Sequence, residues 1–358
     1  MRNLLLFNLA TDADDPILSF TTVWINRLAQ HFDHVDVITM RAGRIAVAPN
    51  VGVWSVGKEQ GKSEFQRALA FYRVLAGRLT HRRYAACFAH MMPLFAVMGA
   101  PLLAWFGVPT TLWYTHRQSD RLLALSVRLV RRVVTAAPDS FPLPTPKLRV
   151  TGHGIDTDFF APALPPAAAA SFLVVQVARL MKIKHQATLL TAASQVQGAQ
   201  VVLVGGVPPE QSPAYREALI QQAHDLGITE RVTFAGDQDR EQVRDHYRAA
   251  HVAVNLSPVG LFDKAALESM AVGVPTLVSN PAFAPLLGGD AARLTIGAPD
   301  DSDGLAERLR ALSALPAGER HVLGAALRQN VIAAHSLDGL MARLVSILLT
   351  GEMEGQGV

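Results

Sequence analysis

The chain has 358 residues, half of them hydrophobic, which suits two domains of ordinary size, each with its own core. Its one cysteine, Cys87, excludes a disulfide framework and any cysteine-rich metal site; set in YAACFAH it reads as a buried apolar thiol, consistent with a reducing compartment. The net charge of +3 hides an asymmetry, because residues 1–150 hold 18 Lys+Arg against 9 Asp+Glu (net +9) and the remainder 15 against 21 (net −6). A basic front half suggests an anionic partner such as a phospholipid surface, a lipid phosphate or a polyanion; the plain alternative is solubility charge.

The opening MRNLLLFNLATDADD reads as a first strand, Leu4 to Asn8, rather than a signal peptide, since its short apolar run meets acid and not a small-residue cleavage site. The loop TDADDPILSF follows, with no glycine and with Asp12, Asp14 and Asp15, which would repel a diphosphate. Asp14 or Asp15 is expected to cap the next helix, with Pro16 starting it. An amphipathic run from Thr21 to Phe32 leads into a strand, Val35 to Thr39, which completes a first βαβ by Met40. Residues 41–62 give a further strand region with turns. Glu64 to His81 is expected to be a helix carrying Arg67, Arg73 and Arg78, with Arg82 and Arg83 just after it. Its apolar arc runs through Phe65, Leu69, Phe71, Tyr72, Val74, Leu75 and Leu79, so it either lies on an anionic membrane or is a domain helix with a solvated basic face. Leu122 to Val134, with Arg128, Arg131 and Arg132, has the same character.

Between these helices, Tyr84 to His116 lacks Asp, Glu, Lys and Arg and is long enough to raise the question of a membrane span. Pro93, Pro101, Pro109, Gly99 and Gly107 divide it, so it reads as a strand (84–90), a helix (93–105) and a strand (109–115), buried between layers. His90 and His116 close those two strands. A lone histidine is ordinarily a hydrogen-bonded surface or core residue, but two at the carboxyl ends of neighbouring strands are ligand-contact candidates.

The Pro- and Ala-rich stretches AAPDSFPLPTPKLRV and ALPPAAAAS, within 136–171, read as linkers around the block TGHGIDTDFFAP. Gly152 and Gly154 permit backbone conformations closed to other residues, and His153 and Asp156 sit at an interdomain hinge, fixing the crossover or touching ligand. A strand from Phe172 to Ala178 then meets Arg179-Leu180-Met181-Lys182-Ile183-Lys184-His185 and a helix from Gln186. Cations between a strand's end and a helix start make a phosphate site, because the helix terminus adds N–H donors; the alternative is a solvated cationic loop. The strand Val201 to Val204 ends in Gly205-Gly206, which lets backbone approach a ligand. A helix from Ala214 to Leu226, a strand from Val232 to Ala235 and a helix from Arg244 to Ala250 follow.

From Val252 to Asn280 the pattern is strand (252–256), polar loop with Ser257, Pro258 and Gly260, helix (263–271), Gly273 as stop, and strand (274–278). Ligands in such units sit outside the carboxyl ends of the strands, so Ser257 to Lys264 form a ligand loop and Glu268 lies about one and a half turns into the helix. Glu268 interrupts an apolar run of Leu267, Met270 and Ala271. It is either a solvated helix-face residue or a carboxylate placed to accept from two vicinal hydroxyls, as a ribose presents. Helices at Leu305 to Leu312 and Leu337 to Leu349 close the chain.

The run LFDKAALESMAVGVPTLVS resembles the donor-site signature of the retaining GT-B glycosyltransferases of glycosyltransferase family 4, keeping Glu268, Met270, Ala271, Gly273 and Pro275. Gly260 stands where members usually carry a first Glu. Phe262, Asp263, Lys264 and Glu268 match the F-D-K-x-x-x-E form of a sub-branch, with Asp263 as the replacement. Arg179, Leu180 and Lys184 match G-R-L-x-x-x-K-G, with Ala178 and His185 in place of its glycines. H-M-x-P at His90, W-Y-T-H at His116 and G-H-G-I-D at His153 match the same sub-branch and the family's crossover.

The resemblance implies an α/β protein of GT-B fold, two Rossmann-like β/α/β domains facing a central cleft. Residues 1–150 would bind acceptor, 151–335 the nucleotide-sugar donor, and 336–358 would be a helix crossing back. It implies a retaining, metal-independent hexosyltransferase. Arg179 and Lys184 would neutralise the departing diphosphate, Glu268 would hold the ribose, Asp263 and Lys264 would orient the sugar, and His116 would face the anomeric centre. His90, His153, Gly154, Gly205, Gly206, Gly260, Phe262 and Leu267 complete the implied donor-binding set, and the aspartates of the first loop would orient sugar hydroxyls if they do not cap. No metal or cofactor is expected; the substrate would be a UDP- or GDP-linked sugar and the acceptor a glycan or lipid-linked hydroxyl. Peripheral contact with an anionic membrane, a cytoplasmic location at its inner face and no nucleic-acid partner are expected. The alternatives are a non-catalytic nucleotide-sugar or lipid-binding protein, or an epimerase, on the same scaffold. No G-x-G-x-x-G follows the first strand, which disfavours a nicotinamide or flavin enzyme.

Overall fold

The computed structural model describes residues 2–352 except 16–17, 117, 164–170 and 209–211. It divides into two compact units, one of residues 1–152 with 338–358 and one of residues 153–337.

The first unit is built on a seven-stranded parallel sheet: β1 (Asn3–Thr11), β2 (His34–Ala42), β3 (Val51–Ser55), β4 (Ala86–His90), β5 (Thr110–Trp113), β6 (Arg132–Thr135) and β7 (Leu148–Val150), in the order β3-β2-β1-β4-β5-β6-β7. β1 is central and covered on both faces, which is why Leu4, Leu5, Leu6 and Phe7 form an unbroken apolar run. Helices α1 (Phe20–Ala29), α2 (Glu64–His81), α3 (Pro93–Trp105) and α4 (Arg121–Leu129) connect the strands. Phe7, Phe71 and Phe95 pack edge-on and tilted at 4.5–5.8 Å, which ties α2 and α3 to the sheet centre.

Three expectations are corrected in this unit. Leu122 to Val134 is not one helix: α4 stops at Leu129 and β6 begins at Arg132, because Val133, Val134 and Thr135 fill a strand slot between β5 and β7. The Pro-rich stretch after it is not a linker, since it contains β7, an edge strand where nearby prolines cost no ladder bond. Neither Asp14 nor Asp15 caps α1, whose N-cap is Ser19; Pro16 lies outside the described residues. Instead Asp15 accepts from Leu18 N (2.7 Å) and is ion-paired with Arg41, and Asp14 pairs with Arg44 (2.7 Å). The three-aspartate loop is thus countered by two arginines at the end of β2.

The second unit has a five-stranded parallel sheet: β8 (Phe172–Val177), β9 (Ala199–Val204), β10 (Val232–Gly236), β11 (Val252–Asn255) and β12 (Thr276–Val278), in the order β10-β9-β8-β11-β12. Its helices are α5 (Gln186–Ser194), α6 (Ala214–Asp225), α7 (Arg240–Ala249), α8 (Lys264–Ala271), the single turns α9 (Ala284–Leu287) and α10 (Ala291–Leu294), α11 (Ser302–Ala314) and α12 (Ala317–His335). α12 has no counterpart in the sequence reading. Its buried positions Leu323, Leu327, Val331 and His335 form one narrow seam at intervals of four, too thin a stripe to stand out. Gly324 lets α12 press on the carbonyl of Gly273, a contact that any Cβ would prevent.

The last helix, α13 (Leu337–Leu349), is grouped from Asp338 onward with the first unit, where Arg343 Nε donates to Thr151 O (2.9 Å). Among the described residues, no helix is long and apolar enough to cross a membrane.

Candidate functional site

The carboxyl ends of β8, β9 and β11 gather most of the second unit's chemistry. The loop after β8 is pinned from inside, because the buried Gln176 donates to Lys184 O (2.7 Å) and Gln186 to Arg179 O (2.9 Å). This leaves the Arg179 side chain exposed, with no hydrogen bond or ion pair among the described residues. Lys182 to Lys184 make one tight turn, and His185 then takes a left-handed conformation (φ 53°) before α5. That conformation explains why the family pattern has glycine at this point.

Lys184 reaches across to the loop after β11. Its Nζ donates to Ser257 Oγ (3.1 Å) and is ion-paired with Asp263, to which Ser257 Oγ also donates (2.9 Å). Asp263 is at the same time the N-cap of α8. Burial alone would raise its carboxyl pKa, but the charge and hydrogen bond of Lys184, with hydrogen bonds from Ser257 and Asn255, hold it below the usual carboxylate value. Asp263 is therefore a partner of Lys184, and the pair offsets much of the positive charge of Lys184.

One turn further, Lys264 and Glu268 stand at i and i+4 on α8. Burial pushes the Glu268 carboxyl up from 4.5 toward neutrality, against the pull of Lys264 and Arg240; burial likewise pushes Lys264 down. No group among the described residues hydrogen-bonds the Glu268 carboxylate, so its carboxylate oxygens keep their acceptor capacity. Arg240, on α7, was not singled out by sequence. Its guanidinium lies 4.5 Å over the ring of Phe159, which fixes a third cation in this neighbourhood.

His153 is buried, stacks on Phe262 (5.6 Å, 9°), and has Nε2 3.1 Å from Phe262 O, while its backbone N–H donates to His335 Nδ1 (3.0 Å). Phe262 in turn stacks on Phe283 at 4.3 Å. Burial, then the charge of Lys264, drive the His153 pKa down to about 3, so the ring is neutral and holds the backbone just before Asp263 in place. The positive φ expected at this hinge belongs to Gly152 (77°) and not to Gly154.

Several predicted donor-binding residues have other work. Gly205 (φ 129°) lets β9 pass the carbonyl of Ala178, and Gly206 makes room for the Asp237 carboxylate, which accepts its N–H at 2.8 Å. What approaches both glycines is protein. Gly260 (φ 85°) belongs to the turn closed by Leu261 N to Pro258 O (3.1 Å). Leu267 is fully buried on the core face of α8 with Ala266, Met270 and Ala271, so it offers no surface to a ligand. In the first unit His90 is enclosed by the rings of Phe20, Trp24, Phe88 and Trp113, with Nδ1 3.3 Å from Asn8 Oδ1, and not open at a strand end. His116 is exposed, and its Nδ1 accepts from Gln118 N (3.1 Å). Among the described residues, no group of three or more His, Cys, Asp or Glu could hold a metal ion.

Two parallel-sheet α/β units with this strand order define the GT-B fold. The solved structure of HepE from Anabaena with UDP and glucose superposes with a TM-score of 0.74 at 16% identity, covering 98% of this chain and all of that one. Residues 165–330 match the family model described as Glycosyl transferases group 1. Over 140 residues the chain is 34% identical to the D-inositol 3-phosphate glycosyltransferase of Mycolicibacterium smegmatis, a match that spans 37% of this chain and only 32% of that relative's length. Over 166 residues it is 32% identical to the GDP-mannose-dependent alpha-(1-6)-phosphatidylinositol monomannoside mannosyltransferase of Mycobacterium tuberculosis, covering 40% of each.

Proposed function

We propose that this chain is a retaining glycosyltransferase that needs no metal ion and moves a hexose from a nucleotide diphosphate sugar to an acceptor hydroxyl. The observation that carries this reading is the exposed Arg179 beside the Lys184–Ser257–Asp263 cluster at the carboxyl ends of β8 and β11, within the residues that match Glycosyl transferases group 1. Arg179, the open guanidinium, binds the donor diphosphate, with Lys184 adding donors that its bonds to Asp263 and Ser257 hold in place. Glu268 accepts from the ribose hydroxyls, and Lys264 borders the sugar. In the transfer the bond from the anomeric carbon to the β-phosphate oxygen breaks. A bond to the acceptor oxygen forms on the same face, and the acceptor's proton passes to the departing diphosphate. Fixed cations stabilise the charge that develops there.

The donor is read as UDP- or GDP-linked, since one relative is named GDP-mannose-dependent and one structural neighbour holds UDP. A lipid-linked or cell-envelope glycan acceptor is supported by α2. Its Phe65 (79% exposed), Leu69 (62%) and Tyr72 (41%) lie at i, i+4 and i+7 on one outward face beside the exposed Arg73, which suits peripheral docking on the inner, anionic face of a membrane. The turn at Gly260 favours one competing reading, a subunit that binds nucleotide sugar without transferring it. Labelled UDP- and GDP-hexoses supplied with membrane extract separate the two. Transfer of label from one donor to lipid or glycan supports the proposal, and a donor that binds but is never consumed refutes it.

A further inference from the structure

The second unit has a cavity of about 390 Å³ at the opposite edge of its sheet from the loop cluster. Its walls are Ala250–His251, just before β11; Val272–Pro275, just before β12; Arg248 at the end of α7; and one face of α12 with Arg320, His321, Ala325, Arg328 and Gln329. These are the amino ends of the strands, whereas Arg179, Ser257 and Asp263 stand at the carboxyl ends.

The cavity's charge is unusual for its surroundings. Residues from 151 onward carry a net −6, yet three guanidiniums and two imidazoles line this space and no carboxylate does among the described residues. Arg248 is ion-paired with Asp245 (3.5 Å). The other two arginines are in no ion pair among the described residues, and the carboxylate near enough to Arg328 to act on its charge is Asp158, outside the cavity lining. Arg320 donates to the carbonyls of Leu312 (3.2 Å), Ser313 (3.5 Å) and Leu315; Arg328 donates to those of Phe160 (3.0 Å), Thr157 (3.0 Å) and Ala271. Carbonyls orient a guanidinium without neutralising it, so two fixed positive charges remain. Burial, and then the charge of Arg320, push the His251 pKa down. Held cations lose little freedom when an anion arrives. The segment before β12, with Val272, Val274 and Pro275, is apolar and would cover the body of a small molecule.

We propose that this cavity binds a phosphate-bearing small molecule, held by Arg320 and Arg328 and covered by that apolar segment. The site is independent of the donor reading above.

The test is calorimetric titration of inorganic pyrophosphate into the full chain carrying Arg179→Ala, which weakens the other phosphate site. One pyrophosphate should bind per chain. Adding Ala325→Glu, which sets a carboxylate in the wall, should weaken binding by roughly tenfold, while Ala325→Gln, of the same size, should stay within about threefold. Should Ala325→Glu fail to fold, Gln329→Glu is isosteric and must give the same loss. Absence of binding in the Arg179→Ala chain, or equal losses for Glu and Gln at position 325, would overturn the proposal. Parallel titration with a hexose 6-phosphate separates the sources: tighter binding than pyrophosphate names a sugar ester, weaker binding a free polyphosphate.

Discussion

Replacing Lys184 with Met should destabilise the second unit by about 3 kcal/mol at pH 7. The Lys184 and Asp263 side chains are 17% and 22% exposed, so the pair is largely withdrawn from solvent. Removing one partner of a buried pair typically costs about 3–5 kcal/mol, and the residual exposure places this one at the low end. Ser257 and the N-cap bond would still hold Asp263, but its charge would be uncompensated. The pH dependence follows from the sign of the shift. In the wild type burial raises the Asp263 pKa, but Lys184 with the hydrogen bonds of Ser257 and Asn255 keeps it depressed overall, so its contribution is present above the unfolded value, about 4, and is lost as pH falls through the lower folded value. Without Lys184, only the hydrogen bonds of Ser257 and Asn255 oppose burial, so the folded pKa rises and the stability that ionised Asp263 contributes above it shrinks. The gap between the two proteins should therefore shrink markedly from pH 7 to about pH 4. Urea denaturation followed by far-UV circular dichroism measures it. All four tryptophans (Trp24, Trp54, Trp105 and Trp113) lie in the first unit, so tryptophan fluorescence serves as an internal control that should not move. In the double variant Lys184→Met/Asp263→Asn the coupling between the two sites should reach about 2 kcal/mol. A cost below about 0.5 kcal/mol, or a gap that does not change with pH, would refute the assignment of Lys184 as the partner that charges Asp263.

Other consequences can be checked separately. Because burial raises the Glu268 pKa toward neutrality, nucleotide affinity should fall as pH drops from about 8 to 6, and the affinity of Glu268→Gln should be weak and flat over that range, as calorimetry would show. His185 adopts a left-handed backbone at a cost of about 1 kcal/mol for a side chain, so His185→Gly should raise stability by about 0.5 kcal/mol after glycine's extra chain entropy is taken off. A loss there would mean that the imidazole makes a contact worth more than the strain. Gly205→Ala should cost about 2–4 kcal/mol in urea denaturation and displace Arg179, since its Cβ would collide with the carbonyl of Ala178.

The βα alternation is legible because parallel strands covered on both faces leave continuous apolar runs such as Leu4–Phe7 and Val252–Val254. The loop residues Arg179 and Asp263 were legible because they lie just beyond such strands. What could not be read is partnership at distance. Lys184 and Asp263 are 79 positions apart, and only the pairing of β8 with β11 brings their loops together. Adjacency in a motif also misled. Leu267 neighbours Glu268 in sequence, but successive residues on a helix point roughly 100° apart, and this one turns into the core. Gly205 and Gly206 had the right conformational signal and the wrong cause, since a glycine records close approach without naming what approaches.

Calorimetric titration of UDP and GDP probes the nucleotide diphosphate site proposed at the carboxyl ends of β8 and β11. The titrations use the wild-type chain and Arg179→Ala, each with and without EDTA. One of the two nucleotides should bind the wild type, be indifferent to EDTA, and bind Arg179→Ala at least about tenfold more weakly through loss of a charge-assisted contact. Binding of neither nucleotide, or equal binding by the variant, would contradict that proposal.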